Sequence, residues 1–417
     1  MNQNELFAIA LGLSTPWKVA RSGLEDGGGG TKFLYVDIEL EPGAKLPCPG
    51  CGTLCSLYDH EVKRWRHLNF WQHCTYLSAE VPRVNCPKDG VCQVSVPWAR
   101  SGSGFTLLFE AFIMALVKEM PVSAVAALVS EHDTRLWRVV RHYVGLAHGR
   151  QDWSGVKAVG LDETATRKGH RYATVAVELD LEGQSSARLL FMTPDRTRQS
   201  VAEFCHQMPA HGAQPGQVKV VAMDMSPAYQ SGVSEHLPEA RMVFDRFHVM
   251  KMAGAAVDSV RQTLRRSGVI LKGALWALRG NWENLKEHQK QLRTELCAQH
   301  KELGRAMALR ESLQETWEWP GPASAALHLK GWCSWAMRSR LPSFKNLAQT
   351  IREHWDGILA FYPHRITSAA IESINGIIQT ARRRARGFRN FDNLRAIAYW
   401  MAGNLDLQLP RPFTHAR

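Results

Sequence analysis

The sequence predicts a multidomain chain of mixed α+β and α/β class: a small β unit that binds metal, a helical unit, and a mixed sheet interrupted by a large all-α insertion. Three observations predict this class. Six of the nine cysteines lie between Cys48 and Cys92, close to strand-like alternation such as KFLYVDIEL. Short apolar runs divided by turns follow residue 153, and Leu, Ile, Met and Trp then recur at helical spacing without a strand pattern from 255 to 362.

Changes in sequence pattern predict the domain boundaries. The N-terminal unit covers 1–100, and a Ser/Gly linker, SGSG, separates it from a helical unit over 105–150. The sheet domain combines 153–254 with 363–407, and the helical insertion over 255–362 lies between these two parts. A chain of 417 residues is long enough for such a division.

The charge balance indicates a polyanionic partner. The formal net charge is +12, and the hydrophobic and charged fractions of 45% and 22% are those of a folded protein. Lys and Arg that neutralise phosphates release condensed counterions, so double-stranded DNA is the favoured partner, although a basic protein can also be merely soluble. The N-terminus lacks a basic signal region and no run of about 18 apolar residues occurs, so no membrane segment and a cytoplasmic location are expected.

The cysteine-rich segment predicts a structural zinc site. CPGC places Cys48 and Cys51 in a knuckle that directs two thiolates at one metal ion. NCPKDGVC then offers Cys86 and, as the fourth ligand, either Cys92 or Asp89. The alternative interpretation is that these are reduced free thiols.

Two basic segments predict contacts with DNA. RWRHLNFWQH interleaves Arg64 and Arg66 with aromatic residues, a pattern typical either of a phosphate-binding surface or of the core of a zinc ribbon. PVSAVAALVSEHDTRLWRVVRHYV predicts a helix from Ser123 to Val129, a polar turn and a second helix from Thr134, as in a helix-turn-helix. Three arginines of the second helix are candidates for the major groove, or surface residues of a plain packing module: Arg135, Arg138 and Arg141.

Two strand-terminal aspartates predict a catalytic metal centre. VKAVGLD and VKVVAMD are buried strands that end in Asp162 and Asp224, and ligands bind beyond the carboxyl ends of strands in open α/β sheets. Adjacent carboxylates repel each other, and a hard divalent cation, Mg²⁺ or Mn²⁺, compensates them with oxygen ligands.

A third carboxylate is predicted on a helix near the C-terminus. In TSAAIESINGIIQTARRRARGFRN the isoleucines form an inward stripe, with Glu372 on its border and Asn375 one turn further along. The order Asp, Asp, Glu on strand, strand and helix matches the ribonuclease H-like arrangement, in which two metal ions hold the attacking and leaving oxygens of a phosphodiester. Nearby basic residues are candidates for phosphate contacts: Arg167, Lys168, Arg382, Arg383, Arg384, Arg386 and Arg389.

Stretches along nearly the whole chain resemble the bacterial insertion-sequence transposases of the ISL-three group. They are CPGCG, RWRHLNFWQH, VPRVNCPKDGV, VPWAR, LDETATRKGHRYATV, VAMDMSPAY, FDRFHVMK and ESINGIIQTARRRARGFRNFDNLR. The resemblance implies a zinc-binding segment, a helix-turn-helix and a DDE catalytic domain, with Asp162, Asp224 and Glu372 as catalytic metal ligands. Asp245 and His248 of FDRFHV would support this site from a second layer or contact DNA, or else be a capping Asp and a packed His. Asn375 is also expected in the second layer. Asp89 stands where relatives tend to carry Cys or His.

The function that the resemblance implies is transposition. The protein would bind the terminal inverted repeats of its own element, cut at the element ends and join the freed 3′-hydroxyl to target DNA, as a homodimer or higher oligomer. Two rivals share the sequence features: a DNA-binding regulator without catalysis, and a nuclease of the same fold that never joins strands.

Overall fold

The protein is described from a computed structural model that covers residues 2–28, 30, 32–167, 169, 171–180, 187–269, 273–363, 365–366 and 369–409. The chain divides into two compact units, with unit 1 running to Tyr143 and unit 2 spanning Val144–Asp406. Lys168, a predicted phosphate contact, lies outside the described residues.

Unit 1 contains the cysteine-bearing β structure. Helix α1 (Gln3–Ala10) precedes the strands. The strands are β1 (Trp17–Asp26), β2 (Lys32–Leu40), β3 (Leu46–Pro47), β4 (Leu54–Cys55), β5 (Leu57–Phe70), β6 (His73–Cys86) and β7 (Gly90–Gln93). The main sheet has the order β1-β2-β6-β5, with β7 also on β6, while β3 and β4 form a separate hairpin. Trp17 and Trp65 each meet Trp98 edge to face in its core.

The helices of unit 1 follow as α2 (Leu107–Glu119), α3 (Val122–Leu128) and α4 (Asp133–Gly149), of which α4 continues into unit 2. The predicted helix-turn-helix is present, with its bounds within one residue of those expected. The predicted SGSG linker does not separate two domains, because the Arg66 backbone of β5 exchanges hydrogen bonds with Gly104 and Thr106 at 2.9 and 3.0 Å. Glu110 of α2, fully buried, accepts hydrogen bonds from Arg100, Ser103 and Tyr143. The β structure and these helices therefore form one unit.

Unit 2 is built on a five-stranded mixed sheet. Its strands are β8 (Ala158–Arg167), β9 (Arg171–Glu178), β10 (Arg188–Pro194), β11 (Val220–Met223) and β12 (Arg241–Phe244). The order is β10-β9-β8-β11-β12, with antiparallel pairs from β10 to β8 and parallel pairs from β8 to β12. This is the predicted ribonuclease H-like topology. The intervening helices are α5 (Arg198–Gln207) and α6 (Pro227–His236).

The helical insertion begins earlier than the sequence predicts. Helix α7 (Arg246–Arg266) starts directly after β12, because Asp245 caps it by accepting a hydrogen bond from the Phe247 amide, so it crosses the expected boundary at 254/255. The other helices of the insertion are α8 (Ala274–Arg279), α9 (Glu287–Gln299), α10 (Lys301–Glu315), α11 (Pro322–Arg338), α12 (Pro342–Glu353) and α13 (Trp355–Leu359). The chain then returns to the sheet with α14 (Ala369–Arg384) and α15 (Phe391–Ala402). Among the residues described, no helix has the length and apolarity needed to cross a bilayer.

Candidate active site and metal centre

Asp162 and Asp224 lie where the parallel pairing of β8 and β11 ends. The last residues that pair in parallel are Gly160 of β8 and Ala222 of β11. Asp162 and Asp224 each come two residues later in the chain, at the same end of the two neighbouring strands. Asp224 comes just after β11, as predicted, but β8 does not end at Asp162. It continues to Arg167, because the residues ETATR pair with the antiparallel strand β9 beyond the point where β8 pairs with β11. This part of β8 is half-exposed.

One pocket brings both aspartates together with Asp245 and His248. Asp245 follows β12, the strand next to β11, and His248 is in the first turn of α7. His248 Nδ1 and Asp245 Oδ2 are 2.9 Å apart. The hydrogen bond to the Asp245 carboxylate is the main reason why the pKa of His248 is raised, and the charges of Asp162 and Asp224 act in the same direction. The pocket thus combines carboxylates with a partly buried imidazole whose protonated form those carboxylates favour.

Burial alters the acidity of Asp162. Desolvation raises its pKa from the usual 3.8 to about 6, and the nearby Asp224 carboxylate adds to this effect. The Glu163 amide, which donates to Asp162 Oδ1 at 2.8 Å, and the charge of His248 oppose it. The folded protein therefore disfavours the carboxylate form of Asp162 when no cation compensates it.

This shift predicts a pH-dependent stability difference between the wild type and Asp162→Asn in Mg²⁺-free buffer. A folded pKa above the unfolded one means that the wild type loses about 3 kcal/mol of stability relative to Asp162→Asn as pH rises from about 4 to about 6. Urea unfolding of both proteins across this pH range measures the difference. Parallel pH profiles for the two proteins would contradict the prediction.

Helix α14 packs directly on β8 because Gly160 has no side chain. A Cβ at Gly160 would lie 2.4 Å from Ile371 Cδ1, and Ile371 is itself buried. The contact places the first turn of α14, with Glu372, at the edge of the pocket that Ile371 lines. Close approach at this glycine therefore fixes the distance of the helix from the two aspartates.

We expect Gly160→Ala to destabilise the protein by roughly 1–3 kcal/mol, since the added methyl group must displace Ile371 or the helix. Gly376→Ala on the same helix is the matched control, because a Cβ there meets no atom within 4 Å and alanine favours a helix by about 1 kcal/mol. Chemical denaturation of both variants tests the contrast. Equal stability of the two variants would show that the contact at Gly160 is unimportant.

Side chains along one face of α14 also hydrogen-bond to β8. Asn375 Nδ2 donates to Asp162 Oδ2 at 2.9 Å, and Gln379 Nε2 donates to both Thr164 Oγ1 and the Ala165 carbonyl at 2.8 Å. Arg382 donates to the same carbonyl. Gln379 was not predicted from the sequence; its position one turn after Asn375 is the signal that would have found it.

The three predicted catalytic carboxylates are not gathered around a single point. Asp162 and Asp224 share the pocket, whereas Glu372 is exposed on α14, next to Ile371 but not among the residues that line the pocket. Within the described ranges, only one group of three or more His, Cys, Asp or Glu residues has ligand atoms that all lie within 4.8 Å of one another, and it is in unit 1. Because carboxylates repel one another, a divalent cation bound between these three side chains would favour their closer approach.

The group in unit 1 consists of Cys48, Cys51, Cys86 and Asp89. The β3–β4 turn carries CPGC and the β6–β7 turn carries CPKD, so two knuckles of equal spacing face each other. Cys48 Sγ lies 3.2 Å from Asp89 Oδ2, and Cys51 Sγ lies 3.4 Å from Cys86 Sγ. Cys92, the alternative fourth ligand, is outside the group and contacts the Asp89 carbonyl at 3.4 Å. Three thiols and a carboxylate fit a tetrahedral zinc ion.

The structure corrects one of the predicted DNA contacts in unit 1. Arg66 is 2% exposed and donates hydrogen bonds to the carbonyls of His67 and Thr75, so it stabilises the sheet from within the core. Arg135 is also engaged internally: it pairs with Glu131 and lies 4.2 Å from the Phe105 ring. Trp65 lies in the core, as the zinc-ribbon interpretation of RWRHLNFWQH predicts, whereas Trp71 is 79% exposed and the phosphate-binding interpretation stays a prediction.

Most of the other predicted basic residues that the structure describes are exposed, whereas Arg382 is half-buried. Arg64, Arg138 and Arg141 are exposed in unit 1. In unit 2 Arg167 is exposed and donates to the carbonyls of Phe388 and Arg389, which ties the end of β8 to the loop after α14. The remaining exposed arginines of this region are Arg383, Arg384, Arg386 and Arg389.

The zinc-binding, helix-turn-helix and catalytic regions of the chain each match a known protein family. A transposase family model of the ISL3 type with a DDE domain matches residues 159–398, the helix-turn-helix domain of transposase family ISL3 matches 94–144, and the zinc finger of transposases IS204/IS1001/IS1096/IS1165 matches 45–92. The chain is 29% identical over 405 residues to the transposase for insertion sequence element IS1557 of two Mycobacterium tuberculosis strains, covering 90% of this chain and 89% of that protein. It is also 29% identical over 368 residues to the transposase for IS1001 of Bordetella parapertussis, covering 85% and 88%.

The matched DDE region contains the sheet, the pocket and α14, and the matched zinc finger contains the two facing knuckles. The cysteine-rich group and the zinc-finger match together support a structural zinc ion in unit 1. The helix-turn-helix match covers α2, α3 and most of α4. With more than half of its length matched by the catalytic domain alone, the chain belongs to the ISL3 family of transposases.

Proposed function

We propose that this protein binds the terminal inverted repeats of an insertion sequence, cuts the DNA at the element ends and joins the ends to target DNA in a reaction that needs Mg²⁺ or Mn²⁺. The observation that carries the proposal is the meeting of Asp162 and Asp224 in one pocket at the end of the β8–β11 parallel pairing. The position of Glu372 in the first turn of the helix that packs on β8 supports its role as the third carboxylate.

The chemistry follows from these groups. A divalent-ion pair at this site would make water a stronger nucleophile and stabilise the leaving oxygen. Asp162 and Asp224 would hold the ions between them, and Glu372 would complete the oxygen ligands. Water attacks a phosphodiester at the element end, and the bond to the 3′ oxygen breaks to leave a 3′-hydroxyl. That hydroxyl then attacks a target phosphodiester and displaces the 3′ oxygen of the target strand, which leaves as a hydroxyl, so no covalent link to the protein forms.

Asp245 and His248 would support the pocket from the β12 side. The Asp245 carboxylate holds the His248 ring in place through Nδ1. A protonated imidazole beside Asp162 and Asp224 offsets part of their mutual repulsion. We therefore assign the pair a role in positioning the two catalytic aspartates.

The exposed arginines would contact DNA phosphates. Arg138 and Arg141 lie on the surface of α4, the second helix of the helix-turn-helix, which is the element that enters the major groove in such motifs. Arg64 of β5 and the arginines after Glu372 would add contacts that depend little on sequence. Zinc held by Cys48, Cys51, Cys86 and Asp89 would stabilise the β unit that carries Arg64. Because an element has two ends, we propose a dimer or larger assembly on DNA, in the cytoplasm and on the nucleoid.

The decisive experiment incubates the purified protein with labelled duplexes of the ends of its own element, a target plasmid and Mg²⁺. We expect cleavage at the element end that exposes a 3′-hydroxyl, followed by products in which this end is joined to the plasmid. Cleavage without joining would identify a nuclease, and binding without cleavage would identify a regulator. Either result would refute the proposed function.

A further inference from the structure

Asn375 carries a buried oxygen atom with no hydrogen-bond donor in the described part of the chain. Its Nδ2 donates to Asp162 Oδ2 at 2.9 Å, whereas its Oδ1 is buried and without a partner among those residues. Nearly all buried polar atoms in proteins have a partner, either in the protein or in a bound ion or water molecule. Five side-chain atoms of the described residues share this property, and Asn375 Oδ1 is the one whose side chain is hydrogen-bonded to a predicted catalytic carboxylate.

The orientation of the Asn375 amide follows from its neighbour. An ionised carboxylate only accepts hydrogen bonds, so the NH₂ group must face Asp162 Oδ2 and the carbonyl oxygen must face the other way. The second oxygen of Asp162 already accepts a hydrogen bond from the Glu163 amide at 2.8 Å. Asn375 Oδ1 is thus an additional oxygen beside Asp162, separate from the hydrogen bond that anchors the side chain.

The neighbours of this oxygen indicate the kind of ligand. Asn375 does not line the pocket that Asp162 and Asp224 share, but it is hydrogen-bonded to Asp162, and Glu372 is one helical turn before it on α14. Hard divalent cations bind amide carbonyl oxygens together with carboxylates and water. A cation at this place would satisfy the leftover acceptor and offset the charges of the aspartates at the same time.

Anchoring of the helix does not require Asn375. Gln379 makes two hydrogen bonds of 2.8 Å to β8, Arg382 makes another, and the buried Ile371 packs against Gly160. If Asn375 served only to anchor α14 on β8, it would be one of several residues with that role. The leftover oxygen distinguishes Asn375 from all of them.

We propose that Asn375 Oδ1 is an oxygen donor to the hydrated divalent cation at Asp162, so that α14 contributes two groups to the metal centre, Glu372 and Asn375. This inference rests on the proposed function, which requires such a centre. It extends the set of Asp162, Asp224 and Glu372 by a neutral donor. Through its NH₂ group the same side chain keeps Asp162 facing the ion.

The test is Mn²⁺ binding to the zinc-loaded full-length protein, followed by electron paramagnetic resonance in the presence of duplex element ends. We expect Asn375→Ala to weaken Mn²⁺ binding by about tenfold or more, the range seen when groups that support a metal site are removed. Asn375→Asp loses the NH₂ group that bonds to Asp162 but retains an anionic oxygen at this place, so its Mn²⁺ affinity should fall less than that of Asn375→Ala. Gln379→Ala, which removes two hydrogen bonds between α14 and β8, is the matched control and should bind Mn²⁺ like the wild type.

Equal losses in Asn375→Ala and Gln379→Ala would assign Asn375 to helix anchoring alone and overturn the inference, and so would a loss in Asn375→Asp as large as in Asn375→Ala. Asp162→Asn separates this failure from that of the proposed function. If Asp162→Asn does not weaken Mn²⁺ binding, the metal centre itself is refuted. If it does so while Asn375→Ala does not, only the role of Asn375 is refuted. Circular dichroism melting of each variant confirms that it is folded.

Discussion

Asp162→Asn, Asp224→Asn and Glu372→Gln will each abolish cleavage at the element ends and leave binding of those ends almost unchanged. Each substitution removes a negative oxygen from the proposed ion pair while keeping the size of the side chain. Loss of a group that only supports a metal site costs up to about 100-fold, so loss of a direct ligand should cost more than about 100-fold in cleavage rate. The exposed arginines proposed to bind DNA are untouched by these changes.

Glu163→Gln is the matched control for these three variants. Glu163 is adjacent to Asp162 in the chain, but its carboxylate pairs with Arg196 at 2.6 Å. If the aspartates act as metal ligands, Glu163→Gln should cut element ends at a rate close to that of the wild type. Cleavage rates from gels and end affinities from mobility shifts give both quantities. Retained cleavage in any of the three variants would remove that residue from the metal centre.

Glu372 is the most informative of the three positions. It lies outside the lining of the pocket, so its role requires it to approach Asp162 and Asp224 when ions and DNA bind. A variant at Glu372 should therefore lose cleavage as fully as one at Asp162, although Glu372 lies outside the pocket. If Glu372→Gln cuts normally, Asp245 becomes the carboxylate to test next, because it shares the pocket with the two aspartates.

Cys86→Ser will prevent zinc binding. Without zinc, most of the N-terminal β unit should lose its ordered structure, and the protein should no longer bind element ends. Cys86 is buried at the end of β6 and faces Cys51 of the β3–β4 turn, so its thiolate helps to join two separate turns through one ion. Binding of structural zinc contributes on the order of 10 kcal/mol to the folding of small zinc modules. The zinc content by mass spectrometry and the melting curve by circular dichroism measure the first two effects.

Cys92→Ser and Asp89→Cys test which residue is the fourth ligand. Cys92 contacts only the Asp89 carbonyl among the hydrogen bonds described, so Cys92→Ser should keep one zinc per chain. Asp89→Cys turns CPKD into a second CxxC knuckle and should hold zinc at least as tightly as the wild type, because thiolates are strong zinc ligands. Zinc loss in Cys92→Ser, together with retention in Asp89→Ala, would assign the fourth position to Cys92 instead.

Several features of the fold were predictable because each depends on a short pattern. The helix-turn-helix follows from apolar spacing around the polar turn SEHD, and the structure places its helices within one residue of the expected bounds. The strands that lead to Asp162 and Asp224 follow from apolar runs that end in an acid. The CPGC knuckle follows from the spacing of two cysteines. In each case neighbours in the chain determine the local structure.

Other features depended on residues far apart in the chain. Arg66 has the same basic and aromatic neighbours as Arg64, yet one is buried and the other exposed. Arg66 lies where β5 pairs with Gly104 and Thr106, and its guanidinium lies over the Phe109 ring of α2. The choice of Asp89 over Cys92 required the β6–β7 turn to face the β3–β4 turn. The grouping of Asp245 and His248 with the aspartates required β12 to lie beside β11.

The sequence by itself determined which side chains can do chemistry here: two aspartates after buried strands, a glutamate on an amphipathic helix, a cysteine knuckle and a basic surface. Residue type and local periodicity suffice for this, because they set charge, ligand chemistry and the face on which a side chain lies. The tertiary structure decided which of these groups meet. Strand order and the close approach of α14 at Gly160 bring together residues more than 200 positions apart, such as Asp162 and Asn375. Burial then raises the pKa of Asp162 and leaves the amide oxygen of Asn375 without a donor among the described residues. Such meetings depend on long-range packing, which no local pattern encodes.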